Sequence, residues 1–302
     1  MFRKPRDDEI DVFGVTHRGR VRPTNQDHFL IGSLHQRFTL IQSSLSDSSE
    51  KPVAEDRLAA LMMVADGVGG GRKGEAASQI AVEELSQYIT ESVRCYYSAE
   101  TGDTDFTQAL EAAAFKCHRA VQERASADPD YHGMATTLTL WIGVWPWCYL
   151  LQVGDSRYYQ FRQDKLIQIS RDQTMAQELI DSGMFAAAVN KTGLANILSS
   201  SIGGPETSPV VKRLPNSWNT VHMICTDGLT KHVSDERIAE RLREMTSAKD
   251  VCEQLVQDAL EGGGTDNVTV VVGRPVAAKE MLDPASETGE EITITAEAQN
   301  AA

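Results

Sequence analysis

The chain has 302 residues, enough for one large domain or two small ones, and its composition is that of an ordinary globular protein. Its 43 acidic residues against 29 basic ones leave a formal charge of −14, which argues against nucleic acid or an anionic membrane as partner and suits a protein that collects cations. Cys95, Cys117, Cys148, Cys225 and Cys252 are scattered with no Cys-x-x-Cys pair, so neither a zinc site nor a disulfide framework is indicated, and the N-terminus lacks the apolar run of a signal peptide, so a cytoplasmic protein is expected.

In chain order, residues 10–16 are a short β-rich run, followed by a polar loop, Arg18-Gly19-Arg20-Val21-Arg22-Pro23-Thr24-Asn25-Gln26-Asp27. Residues 28–32 and 38–42 read as further strands, and 43–57, rich in Ser, Asp, Glu and Pro, as a surface loop. The stretch 61–75 then changes character three times. An apolar strand ends on Asp66, a loop with five glycines from Gly67 to Gly74 follows, and a helix opens. Glycine at that density suits a backbone that bends sharply or approaches a ligand closely. Ala77, Ile80, Ala81, Leu85, Tyr88, Ile89 and Val93 mark one helical stripe, and a second helix is expected over 106–125. Two successive helices argue against alternating βαβ units.

Residues 133–154 carry no charge and by length must be weighed as a membrane span. Thr136, Thr137 and Thr139 suit strands and Trp145-Pro146-Trp147 breaks the run, so two buried strands joined by a tight turn are the better reading. Further strands follow at 157–162 and 166–170, then a short helix at 175–182 and an irregular excursion over 185–204. Strands at 210–214 and 220–225, helices at 235–245 and 248–260 and a strand at 268–272 complete the pattern, that of an α+β protein of packed sheets flanked by helices. Residues 275–302 hold six acidic residues, one basic and no aromatic, a composition that cannot bury enough to order itself.

Three acidic residues share a local setting. Asp66 and Asp227 each end an apolar strand before a glycine, and Asp266 opens one. Each Asp-Gly alone reads as a turn. Three aspartates set against buried strands instead suggest carboxylates gathered at one sheet edge, where mutual repulsion calls for a divalent cation; oxygen donors of this kind suit Mg or Mn.

The ordered set Arg22-x-x-Asn25-Gln26-Asp27, Asp66-Gly67-Val68-Gly69-Gly70, Gly133-Met134-Ala135-Thr136-Thr137, Gly154-Asp155-Ser156-Arg157, Thr226-Asp227-Gly228 and Thr265-Asp266-Asn267 resembles the metal-dependent Ser/Thr protein phosphatases of type 2C, their bacterial branch most. The resemblance covers about residues 11–273. It implies a four-layer αββα sandwich of two antiparallel sheets flanked by helices, with a two-metal centre of Mn or Mg where the sheets meet. Asp66 would bridge both ions, the Gly67 carbonyl would serve one, and Asp227 and Asp266 the other. Asp27 would hold metal-bound water, Arg22 would clamp the substrate phosphate, and Asp130 would serve a third, weaker ion. The implied activity is hydrolysis of phosphoserine and phosphothreonine in proteins by direct attack of a metal-bridging water. The implied partners are phosphorylated substrates of a Ser/Thr kinase, and the expected state is a monomer. The domain plan is an N-terminal extension, 1–9, a catalytic domain, 10–274, with a variable flap at 175–200, and an acidic tail, 275–302.

The chain departs from the family where a His is common: Gly71 and Val68 stand there, which leaves the acid that protonates the leaving group unidentified. Gly69-x-Gly71-x-x-Gly74 matches a dinucleotide fingerprint but lacks the βαβ context, and Lys73 is followed by Gly74 rather than the Ser or Thr of a phosphate-binding loop. The rival from another class is a catalytically silent regulator that keeps the fold to bind phosphoproteins. A third reading is a phosphatase of small phosphate esters. Asp155 and Arg157 read as braces of a turn.

Overall fold

The computed structural model describes residues 3–36, 56–91, 103–184 and 193–276. Its strands are β1 (Ile10–His17), β2 (Asp27–Gln36), β3 (Asp56–Val68), β4 (Ala135–Thr136), β5 (Leu138–Val144), β6 (Trp147–Val153), β7 (Arg157–Arg162), β8 (Lys165–Gln168), β9 (Val210–Pro215), β10 (Val221–Cys225) and β11 (Val268–Pro275). Its helices are α1 (Arg72–Glu91), α2 (Asp103–Ala127), α3 (Met175–Asp181), α4 (Asp227–Thr230), α5 (Asp235–Arg243) and α6 (Ala248–Glu261).

The extended backbone of β3 sends Leu61, Met63 and Ala65 to one face and Met62 and Val64 to the other, and all five are buried. A strand dry on both faces has to lie between two layers. On one side Met63 and its neighbours pack against Ala81 and Leu85 of α1 and Leu110 and Cys117 of α2. On the other, Met62 and Val64 meet Tyr158, Ile224 and Val271 of a second sheet. That sheet turns Met223, Val270 and Val272 outward onto Ile238 and Leu242 of α5 and Val251 and Leu255 of α6. The result is helix, sheet, sheet, helix, the four layers that the family resemblance implies.

Both sheets are antiparallel, in the orders β1-β11-β10-β7-β8 and β2-β3-β5-β6-β9, with β4 paired to β3. The uncharged run at 133–154 supplies β5 and β6, which pair through a tight turn, and no helix among the described residues is long and apolar enough to cross a membrane. Several boundaries move. The strand expected at 28–32 starts at Asp27 and runs to Gln36, and Asp56 and Arg57, read as loop, begin β3. The strand expected at 38–42, most of the loop at 43–57 and the tail from 277 lie outside the described residues.

The first of the two strands expected within 133–154 is interrupted at Thr137, where the chain bonds the Asp66 carbonyl instead: Thr137 N–H donates to it at 2.9 Å and the Thr136 hydroxyl at 2.8 Å. The N-terminal residues are stapled to the domain. Arg3 and Arg6 pair with buried Glu9, Arg57 with Asp7 at 2.5 Å, and the Trp218 indole N–H donates to the Arg3 carbonyl at 2.7 Å. Cys117, Cys148, Cys225 and Cys252 are free and buried, as core residues should be.

Candidate active site

Strand ends from both sheets deliver the acidic residues to one place. Asp27 opens β2 directly opposite Asp66 on β3. Asp227 follows β10 and starts α4, Asp266 precedes β11, and Asp155 lies in the turn between β6 and β7. A cleft of about 1290 Å³ is lined by Arg22, Asp66, Gly67, Asp155, Asp227 and Asp266 among others, with Asp27 buried behind its wall.

The loops are held by contacts that explain their residue types. Backbone at Gly67 and Gly74 approaches so closely that a Cβ on either would collide with the other, and Gly69, Gly70 and Gly71 take φ of 117°, 76° and 54°. With its amide turned to satisfy both neighbours, Gln26 donates to the Gly67 carbonyl at 3.1 Å and accepts from Gly71 N–H at 2.9 Å. Asn267 stitches the arginine loop to β11: its Nδ2 donates to the carbonyls of Arg18 and Thr24, both at 2.9 Å, and its Oδ1 accepts from Gln26 N–H at 2.9 Å.

Asp27 is fixed by a relay of hydroxyls. Asn25 Nδ2 donates to Thr16 Oγ1 at 2.8 Å, which lies 2.8 Å from Thr269 Oγ1, and Thr269 donates to Asp27 Oδ2 at 2.7 Å. The Thr226 hydroxyl donates to the same oxygen at 2.9 Å. Asp27 Oδ1 is buried without a partner, as is Asp227 Oδ1. Buried carboxylate oxygens normally carry a donor or a cation, so these two are positions to be satisfied by something else.

Burial raises the carboxyls of Asp27 and Asp155 to about 7; Asp227 adds to the rise in both, and the hydroxyls of Thr269 and Thr226 temper it at Asp27. Asp66 is pushed well up by burial first and then by Asp27 and Asp227, and Asp227 rises by burial too. Asp266 alone goes down: burial would raise it, but hydrogen bonds from Arg22 and Lys231 outweigh that. Arg22 Nε lies 2.8 Å from Asp266 Oδ1, and Lys231 Nζ lies 2.6 Å from Asp227 Oδ2 and 2.8 Å from Asp266 Oδ2. Asp227 and Asp266 are thus drawn to these cations, and among the described residues no three His, Cys, Asp or Glu side chains already form a ligand set.

Arg22, Asp27, Asp66, Gly67, Asp227 and Asp266 are therefore brought together. Asp130 is not among the residues lining the cleft: it is exposed on the turn Pro129–Tyr131, which leads into His132 and Gly133 of the wall. Asp155, read as a turn brace, lines the cleft, whereas Arg157 does brace, with Nη2 2.7 Å from Asp172 Oδ2. Sequence reasoning missed Thr226, Thr269 and Lys231. A hydroxyl inside the valine run at 268–272 was the available signal for Thr269. Residues 185–192 of the flap lie outside the described residues, although Asn196, Ile197 and Leu198 reach the cleft.

The family described as protein phosphatase 2C matches residues 43–262. The serine/threonine protein phosphatase PstP of Mycobacterium tuberculosis is 33% identical over 215 residues, 71% of this chain and 40% of that protein. The serine/threonine phosphatase stp of Listeria innocua is 27% identical over 262 residues, 85% of this chain and 92% of its own length. Among solved structures, the catalytic domain of PstP in complex with two manganese ions superposes with a TM-score of 0.68 at 29% identity, covering 89% of this chain and 99% of that one. The chain matches only about 40% of the length of the mycobacterial relative. With the four layers and the gathered carboxylates beside that match, the chain belongs to the protein phosphatase 2C family.

Proposed function

We propose that the protein is a metal-dependent phosphatase that hydrolyses phosphoserine and phosphothreonine in proteins, its substrates being targets of a Ser/Thr kinase in the cytoplasm. The observation that carries the reading is the convergence of four aspartates and Arg22 on one cleft, with Asp27 behind its wall and with Asp27 Oδ1 and Asp227 Oδ1 buried and unpartnered. The donor set is all oxygen, the choice of Mn and Mg, and the relative with two manganese ions supports it. Asp66, the Gly67 carbonyl, Asp227 and Asp266 are the residues that would hold two ions, and Asp130 is where a third would be sought. When bound, such ions lower the pKa of water and neutralise charge on phosphoryl oxygens.

The chain's own residues do the rest. The fork of Arg22 matches two oxygens of a phosphate monoester and orients it in the cleft. Asp27 Oδ1, next to Asp66 and fixed from behind by two hydroxyls, accepts a hydrogen from the attacking water. Water oxygen bonds to phosphorus, the bond from phosphorus to the Ser or Thr oxygen breaks, and that oxygen takes up a proton. No phosphoenzyme is required. The catalytic unit is residues 10–274, with the flap at 175–200 as the segment that selects substrate and the acidic tail, 275–302, outside it.

Hydrolysis of a phosphothreonine peptide with Mn, with Mg or with chelator, repeated with Asp66→Ala, tests the reading. Activity should require added metal and collapse in the variant. Turnover that resists chelator, or an unimpaired variant, refutes it; peptide binding without turnover identifies a silent regulator, and a preference for small esters identifies a different substrate class.

A further inference from the structure

Lys231 stands four residues after Asp227, immediately beyond α4, and lies between two of the proposed ligands: its Nζ is within 2.8 Å of a carboxylate oxygen of both Asp227 and Asp266. Arg22 Nε takes the other oxygen of Asp266, and its Nη2 donates at 3.0 Å to the oxygen that Lys231 also holds. Both oxygens of Asp266 and one of Asp227 are thus engaged by ammonium or guanidinium, and a hard cation needs those same lone pairs. The two carboxylates are largely sheltered, at 22% and 17% exposure for Asp227 and Asp266, while Lys231 keeps part of its side chain in solvent, so salt screens their attraction less than it would a pair wholly on the surface.

We propose that Lys231 is a resident counter-ion, a positioning residue whose ammonium holds Asp227 and Asp266 in the metal-free protein and which a divalent ion has to displace. The inference rests on the metal reading above and deepens it. A lysine ammonium is a compact point charge on a flexible stem, so it satisfies two carboxylates at once and also leaves them by rotating about its own bonds. Because it is tethered to the helix that carries Asp227, it competes at a fixed effective concentration that dilution cannot lower. Two consequences follow. Lys231 weakens metal binding, and it keeps the carboxylates from driving the metal-free site apart.

The test is calorimetric titration of Mn²⁺ into the chelator-stripped full-length protein, unsubstituted and as Lys231→Met, Lys231→Gln and Lys231→Arg, with melting temperatures in chelator. Met keeps the apolar stem and Gln a neutral donor, and both should bind Mn²⁺ about tenfold more tightly, the equivalent of one charge-assisted hydrogen bond that no longer has to be broken. Both should melt lower in chelator, and Arg should stay near the unsubstituted protein in both measurements. Equal or weaker Mn²⁺ binding by the Met and Gln variants overturns the inference alone. Absence of Mn²⁺ binding by the unsubstituted protein overturns the metal reading and the inference with it.

Discussion

Thr269→Val removes a buried hydroxyl while keeping the shape of a β-branched strand residue, and it isolates what the hydroxyl relay does for Asp27. The Thr269 hydroxyl donates to Asp27 Oδ2 at 2.7 Å, sharing that oxygen with Thr226 at 2.9 Å. A hydrogen bond to a charged group contributes about 1.5–3 kcal/mol and one between neutral groups about 0.5–1.5 kcal/mol. The Asp27 carboxyl sits at about 7, raised from its ordinary 3.8, so in the folded, metal-free protein it is protonated at pH 5 and ionised at pH 8.

The substitution should therefore cost about 1 kcal/mol at pH 5 and about 2 kcal/mol at pH 8. For a domain of this size that is a fall in melting temperature of about 2–4 °C against about 4–8 °C. The direction follows from proton linkage. An acid whose folded pKa is raised binds more protons folded than unfolded between its ordinary value and about 7, so stability falls as pH climbs through that window. Loss of a donor to the ionised form raises that pKa further and carries the fall to higher pH. Calorimetric melts in chelator at the two pH values measure it. An equal loss at both, or none at pH 8, would show that the hydroxyl does not support a charged Asp27.

Asp66→Asn in chelator should lose less stability than the parent as pH rises, because burial and the charges of Asp27 and Asp227 push the Asp66 carboxyl well up and make its ionisation costly, a cost that Asn does not carry; melting temperatures of parent and variant that run parallel across pH contradict the repulsion. Gly74→Ala should lose about 1–3 kcal/mol, since its Cβ would meet the Gln26 amide and the backbone of Gly67, and an unchanged denaturation midpoint would mean that the end of β3 and the start of α1 do not touch.

Local pattern carried much of this protein. The unbroken apolar run of β3 and the helical stripe of α1 were enough to specify a strand buried on both faces and a helix with one apolar face, because burial of those faces is what stabilises each element. The aspartates were legible for a related reason: a carboxylate or glycine abutting a strand-type apolar run is costly enough to be noticed without coordinates.

Long-range placement was not legible, because which distant groups come to face each other is set by how the two sheets stack. Only the tertiary structure put Thr226 and Thr269, from β10's end and from β11, behind Asp27 of the other sheet, and brought Asp155 from the β6–β7 turn into the cleft. Only it placed Lys231 between Asp227 and Asp266, 35 positions beyond it in the chain. A lysine after Leu229-Thr230 reads in sequence as a solvated charge, and its role depends on a neighbour that chain order does not reveal.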